Sequence, residues 1–138
     1  MTLFAFALGC DMVGVAREAM LSIGCIQAQQ CHSGHCPTGV ATQNRWLVRG
    51  LDPLLKADRL ANYVMTLRKE VLTLSRACGV VHPALITSEY LEILDGRFGS
   101  ATVPQLFGYE HSYGMPSPED RAQITELMNG GPGGTATG

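Results

Sequence analysis

Long apolar runs are absent from this sequence. No stretch approaches the ~20 residues that cross a bilayer, so no membrane partner is expected. An excess of either charge is absent too: ten Lys and Arg against twelve Asp and Glu leave a net charge of −2. That balance offers no electrostatic footprint for nucleic acid or another polyanion. The first residues lack the charged n-region, apolar h-region and small-residue cleavage site of a signal peptide, and no internal repeat is found. An even set of spaced cysteines is also missing. There are five, an odd number, and three of them fall within twelve residues. This is no secreted disulfide framework. It points to metal chemistry in a reducing compartment, and the expected location is the cytoplasm.

What remains is a chain of 138 residues, 46% apolar and 16% charged, enough for one modest globular domain. Its most informative stretch runs from Gly24 to Gln43, GCIQAQQCHSGHCPTGVATQ. Cys25, Cys31 and Cys36 are spaced C-x5-C-x4-C, offsets that neither a helix nor a strand converges on one point, so a looping backbone is expected. Three thiolates from a short loop suit a soft metal or an iron–sulfur cluster. The rival readings are three buried small hydrophobes and a zinc site completed by His32 or His35. The Gly, His, Gln and Pro neighbours make a poor core, and the spacing lacks the paired knuckles of structural zinc. The spacing therefore favours a cluster, one cysteine per iron for three irons. A fourth ligand for a four-iron cluster would have to be Cys10 or Cys78, each read more simply as buried in its own element. Pro37 shapes the loop exit. Gly34 and Gly39 are expected to bring backbone amides to the sulfurs, and His32 and His35 to be donors around the cluster or simply solvated.

Around the loop, Leu3 to Gly9 reads as the end of a helix closed by Gly9. Met12–Ala16 reads as a short buried strand, and Arg17-Glu18 opens a helix ending near Gly24. Thr42 to Asp52 is polar and irregular. After Pro53 comes a long helix to Cys78, with an apolar stripe of Leu60, Tyr63, Val64, Leu67, Val71 and Leu74. His82-Pro83 starts a turn. Thr87 or Ser88 is expected to cap a helix SEYLEIL closed by Asp95-Gly96. Val103–Phe107 reads as one more turn, Pro116-Ser117-Pro118-Glu119 as the start of a helix through Met128, and GGPGGTATG as a flexible end.

Helix, strand and helix in this order are an α/β signature with a parallel sheet. A sheet needs neighbouring strands, and no other segment supplies convincing ones. The chain is therefore expected to be the C-terminal piece of something larger. In the stretch Val13-Gly14-Val15-Ala16-Arg17 a strand ends in small residues just before a helix, exposing free amides that suit a phosphate, a weak signal by itself.

The run LGCDMVGVAREAMLSIGCIQAQQCHSGHCPTGVATQ resembles the end of the FMN-binding synthase domain of glutamate synthase, and most closely the free-standing FMN-binding glutamate synthase-like proteins. The resemblance covers roughly residues 5 to 45 strongly, extends loosely through the helix to His82-Pro83, and gives nothing beyond about 108. It implies the last strand and helix of a (β/α)8 TIM barrel (1–24), an iron–sulfur loop (25–45) and a mainly α-helical extension (46–109); from Glu110 onward the order signal in the sequence itself fades, and 110–138 reads as a poorly ordered tail. By resemblance, Cys25, Cys31 and Cys36 hold a 3Fe–4S cluster, while Gly14, Ala16 and Arg17 occupy the turn holding the FMN phosphate. Many flavin barrels have Gly-Arg where this sequence has Ala16-Arg17. The implied activity is reduction of 2-iminoglutarate, formed from 2-oxoglutarate and glutamine-derived ammonia, to glutamate, with electrons relayed through the cluster and FMN. The implied partners are the rest of the barrel and an electron donor protein, and the chain alone is expected to be inactive. Two alternatives stand beside it: an FMN barrel with another substrate, and a small metal- or cluster-binding module acting through a partner protein.

Overall fold

The computed structural model describes residues 2–94, 96 and 99–130. In chain order the elements are α1 (Thr2–Ala7), α2 (Arg17–Ser22), α3 (Pro53–Ala77), β1 (Glu92–Leu94), β2 (Ser100–Thr102), α4 (Val103–Phe107) and α5 (Pro118–Met128). Single 3-10 turns lie at Cys31–Ser33, Leu47–Gly50, Pro83–Leu85 and Ser88–Tyr90. The chain divides into two compact units: Gly14–Lys69 forms one, and Met1–Val13 with Glu70–Gly138 the other.

Three helices stop in the same way, each at a Leu/Ile/Cys-Gly pair. Gly9, Gly24 and Gly79 have φ of +88°, +108° and +79°, a left-handed region that costs glycine nothing. After α1, the amides of Gly9 and Cys10 donate to the carbonyls of Phe6 and Ala5; after α2, those of Gly24 and Cys25 to Leu21 and Met20. After α3, Gly79 and Val80 bond Arg76 and Ser75. Each is the paired bond set of a Schellman motif, which satisfies carbonyls left over at a helix end. The expected stops are therefore confirmed. The start of α3 is equally local: Asp52 Oδ1 accepts from the amides of Leu54 and Leu55 at 3.0 and 3.3 Å, with Pro53 as the first helical residue.

In the unit Gly14–Lys69, the Tyr63 hydroxyl donates to Glu18 Oε2 at 2.7 Å and ties α3 to α2. The segment between them is stitched by short-range bonds. Thr42 Oγ1 donates to the Gly34 carbonyl, and Asn44 Oδ1 accepts from Trp46 and Leu47. Arg49 lies 5.3 Å from the Trp46 ring centre, within cation–π range.

The other unit holds a small core of Ala7, Leu85, Ile86 and Val103, with Ser75, Thr87 and Ser88 buried among them. Ser75 resolves its burial by donating Oγ–H to the Val71 carbonyl at 2.8 Å. Helix α1 packs on the Pro83–Leu85 turn. Helix α4 is closed by a reciprocal capping box between Thr102 and Gln105. Ser117 caps α5, accepting from the Asp120 amide at 3.1 Å, within the stretch Pro116–Glu119 expected to start this helix.

Several expectations are corrected. Met12–Ala16 forms no strand, and Met12 is 88% exposed. A strand's hydrogen bonds belong to its neighbours, and no strand among the described residues pairs with this segment. Cys10, expected to be buried beside it, is consequently exposed. The helix expected over SEYLEIL is a 3-10 turn at Ser88–Tyr90 followed by β1. Here Ile93 pairs with Ala101 in an antiparallel hairpin, and this longer-range pairing outweighs the local helical pattern. Thr87 precedes the turn without a side-chain capping bond. Asp95, named as that helix's stop, and residues 131–138 lie outside the described residues. The α3 stripe exists but is only half covered: Leu60, Val64 and Leu74 stay exposed.

Candidate metal centre

The three loop cysteines are placed by three different local devices. Cys25 follows Gly24 in the Schellman motif of α2, its amide bonded to the Met20 carbonyl at 3.0 Å. Cys31 opens the 3-10 turn Cys31–Ser33, closed by Gly34 at φ +73°. Cys36 begins a tight turn through Pro37 and Thr38, in which the Gly39 amide bonds the Cys36 carbonyl at 3.2 Å. Proline in the second position of such a turn is the favoured arrangement. Between Cys25 and Cys31 the chain takes two left-handed steps without glycine, at Gln27 (φ 57°) and Gln29 (φ 56°).

The sulfurs meet hydrogen-bond donors. The Gln27 amide donates to Cys25 Sγ at 3.4 Å. Cys36, only 7% exposed, has its sulfur 3.4 Å from the Thr38 hydroxyl. That hydroxyl first, then the amides of Ala41, Thr38 and Val40, lower the Cys36 thiol from 9.0 to about 7. Donors aimed at a sulfur favour its thiolate, the form that binds metal. All three cysteines are free of disulfides, so the donor set has the chemistry an iron–sulfur cluster needs.

Gly34 and Gly39 direct their own N–H groups to the carbonyls of Cys31 and Cys36, because the i to i+3 closure of each turn claims them; the backbone amides that reach the Cys36 sulfur are those of Thr38, Val40 and Ala41, on either side of Gly39. The residues missed were Gln27 and Thr38. Thr38 had a legible signal, a hydroxyl two positions after a cysteine with only a proline between. His32 and His35 are exposed.

Cys25 and Cys31 line one cavity of ≈ 310 Å³ together with Ala16, Arg17, Met20, Gln27 and Gln29. Four of the six residues singled out in the sequence are thus brought to one place. Cys36 and Gly14 are not among its lining. A Cβ at Gly14 would meet nothing within 4 Å, so no close approach within this chain requires glycine there. No group of three or more His, Cys, Asp or Glu side chains arranged to share a metal ion occurs among the described residues. Nor is any helix among them long and apolar enough to cross a membrane.

Residues 2–81 match the conserved region of glutamate synthase, which is more than half of the 138 residues and includes every residue discussed above for the site. The chain belongs to the glutamate synthase family. Among glutamate synthase relatives, the large subunit-like protein YerD of Bacillus subtilis is 41% identical over 87 residues, 63% of this chain and 17% of that protein. The archaeal glutamate synthase [NADPH] of Methanocaldococcus jannaschii is 40% identical over 76 residues, 55% of this chain and 15% of the relative. The large subunit-like protein of Rhizobium meliloti is 33% identical over 94 residues, covering 56% and 21%. The chain therefore spans less than a quarter of the length of these glutamate synthase relatives. No solved structure matches it.

Proposed function

We propose that this chain supplies the iron–sulfur loop and part of the flavin phosphate turn of a glutamate synthase-like oxidoreductase. The observation carrying the proposal is that the family match over 2–81 contains the full C-x5-C-x4-C loop. Cys25 Sγ accepts from the Gln27 amide, and Cys36 Sγ lies 3.4 Å from the Thr38 hydroxyl. In this reading Cys25, Cys31 and Cys36 hold a 3Fe–4S cluster, one thiolate per iron, and Ala16 and Arg17, with Gly14 beside them, face the FMN phosphate. When bound, the cluster and flavin supply electron transfer and hydride delivery.

The reaction proposed is glutamate formation. Ammonia condenses with 2-oxoglutarate, releasing water and giving 2-iminoglutarate; two electrons and two protons added across its C=N bond give glutamate. Six relatives carry NADPH in their names, and the same reductant, acting through a donor protein, is proposed as the source here. Residues 1–24 are read as the last strand and helix of a (β/α)8 barrel. A barrel takes ~250 residues, so the partner is the remainder of that barrel. This also accounts for the unpaired Met12–Ala16 and the half-covered stripe of α3, since both would gain neighbours there.

The test is metal content. The chain is purified anaerobically and supplied with ferrous iron and sulfide. Bound iron and acid-labile sulfide near one to one, lost in C25S, C31S and C36S, support the reading. One zinc per chain with no sulfide overturns it in favour of a zinc module.

A further inference from the structure

A second cavity, of ≈ 540 Å³, lies within the unit Met1–Val13 with Glu70–Gly138, a size that holds a small organic ligand. One wall is the end of α1 with His82 and Ala84; the other is Gly114–Pro116 with α5. Backbone alone brings these walls together. A Cβ on Gly9 would stand 2.5 Å from Gly114 Cα, and one on Gly114 2.8 Å from Gly9 Cα, both at positive φ. Only glycine allows that approach, so the fold itself sets the cavity's width. The second wall lies beyond the family match over 2–81, which makes the cavity a feature of this chain rather than of the conserved region.

The lining joins an apolar surface to charge of one sign. Phe6, Met115 and Ile124 are half-buried in it. Asp11 and Asp120 bring two carboxylates, and no Lys or Arg is among the described lining residues. Neither carboxylate is in an ion pair among the described residues; the pair found there joins His111 and Glu89. The Ser117 hydroxyl donates to Asp120 Oδ2 at 2.7 Å, which leaves the charge in place. His82 does not offset the two charges. Its Nδ1 accepts from the Ala84 amide at 3.2 Å, and burial lowers its pKa from 6.5, so the ring is neutral at pH 7.

We propose that this cavity is a binding site for a small organic cation, an amine with an apolar body. Two carboxylates attract an ammonium and repel an anion of the same shape, while the apolar surface takes up the body. The inference stands apart from the cluster reading, and its test needs no metal.

The full chain, labelled with nitrogen-15, is titrated at pH 7 with three probes of similar shape: phenethylamine, phenethyl alcohol and hydrocinnamate. Phenethylamine should shift the amide signals of Asp11, Ala84 and Gly114 to Ile124 to saturation, more tightly than the alcohol, and hydrocinnamate should shift none of them. D11N and D120N should each weaken the amine about threefold, as exposed pairs do, and leave the alcohol unchanged. Gln123 also lines the cavity and is exposed on α5, so Q123K tests the sign of charge without touching a carboxylate. It should weaken the amine and admit hydrocinnamate. Equal binding of the three probes overturns the inference, as do amine shifts confined to other residues or absent altogether. If D11N or D120N fails to fold, Q123K decides alone, and amine binding unchanged in it overturns the inference.

Discussion

The Tyr63 hydroxyl on α3 donates to Glu18 Oε2 on α2 at 2.7 Å, joining positions 45 apart in sequence. The carboxylate accepts the phenolic proton and thereby raises the Tyr63 pKa above its ordinary 10.0, the hydrogen bond being the leading cause. Because the folded value is the higher one, this bond stabilises fully below about pH 10 and is lost as pH rises through the folded value. Y63F should lower the thermal midpoint at neutral pH, and the loss should vanish in strongly alkaline solution. In E18Q, ultraviolet titration should show one tyrosine returning toward 10.0. Equal melting of wild type and Y63F at pH 7 would show that the contact does not hold the two helices.

Gln27 and Gln29 carry positive φ without being glycine. Such a conformation costs roughly 1–2 kcal/mol for a residue with a Cβ, partly offset in a glycine variant by roughly 0.5–1 kcal/mol of added chain entropy. Q27G and Q29G should therefore be neutral or stabilising by up to about 1 kcal/mol in urea unfolding. Q27V, with branching at Cβ, should be destabilising by about 1–2 kcal/mol. Destabilisation by both glycine variants would mean that the glutamine side chains, not the backbone, organise the loop.

At Gly39 the backbone itself leaves no room. A Cβ there would lie 2.5 Å from the Leu47 carbonyl oxygen and 3.1 Å from the Leu51 amide, at φ +79°. G39A should destabilise by about 3 kcal/mol or more, combining left-handed strain with a backbone clash. It should also reduce iron and sulfide uptake, because Gly39 closes the turn that begins at Cys36. G34A places its Cβ in open space and serves as the comparison, with only the strain to bear.

His82 reports on the other unit. Partial burial lowers its pKa from 6.5, and its neutral Nδ1 accepts from the Ala84 amide at 3.2 Å, which caps the Pro83–Leu85 turn. A depressed folded pKa means that the stabilisation is present above about pH 6.5 and is lost as pH falls through the folded value. Thermal melts from pH 7.5 to 5 should show a fall in midpoint that H82N reduces. An identical slope in H82N would assign the acid sensitivity to other groups.

The sequence by itself determined where the helices begin and end. Asp52 and Pro53 start α3, and Gly9, Gly24 and Gly79 stop three helices, because capping bonds reach no more than five residues along the chain. The same holds for the loop: cysteine spacing and Pro37 were enough to mark it, since metal-binding residues and turn formers keep their chemistry in any surroundings. Tertiary structure alone decided which backbone groups would find partners at a distance. It paired Glu92–Leu94 with Ser100–Thr102 against the helical reading, and left Met12–Ala16 unpaired although their composition suits a strand. It also chose which groups face the sulfurs, the Gln27 amide at Cys25 and the Thr38 hydroxyl at Cys36, and it brought Lys56 against Gly24. A helix holds its hydrogen bonds within its own segment, so its limits are written locally. A strand, a sulfur's donors and a half-buried ammonium depend on what the rest of the chain brings to them.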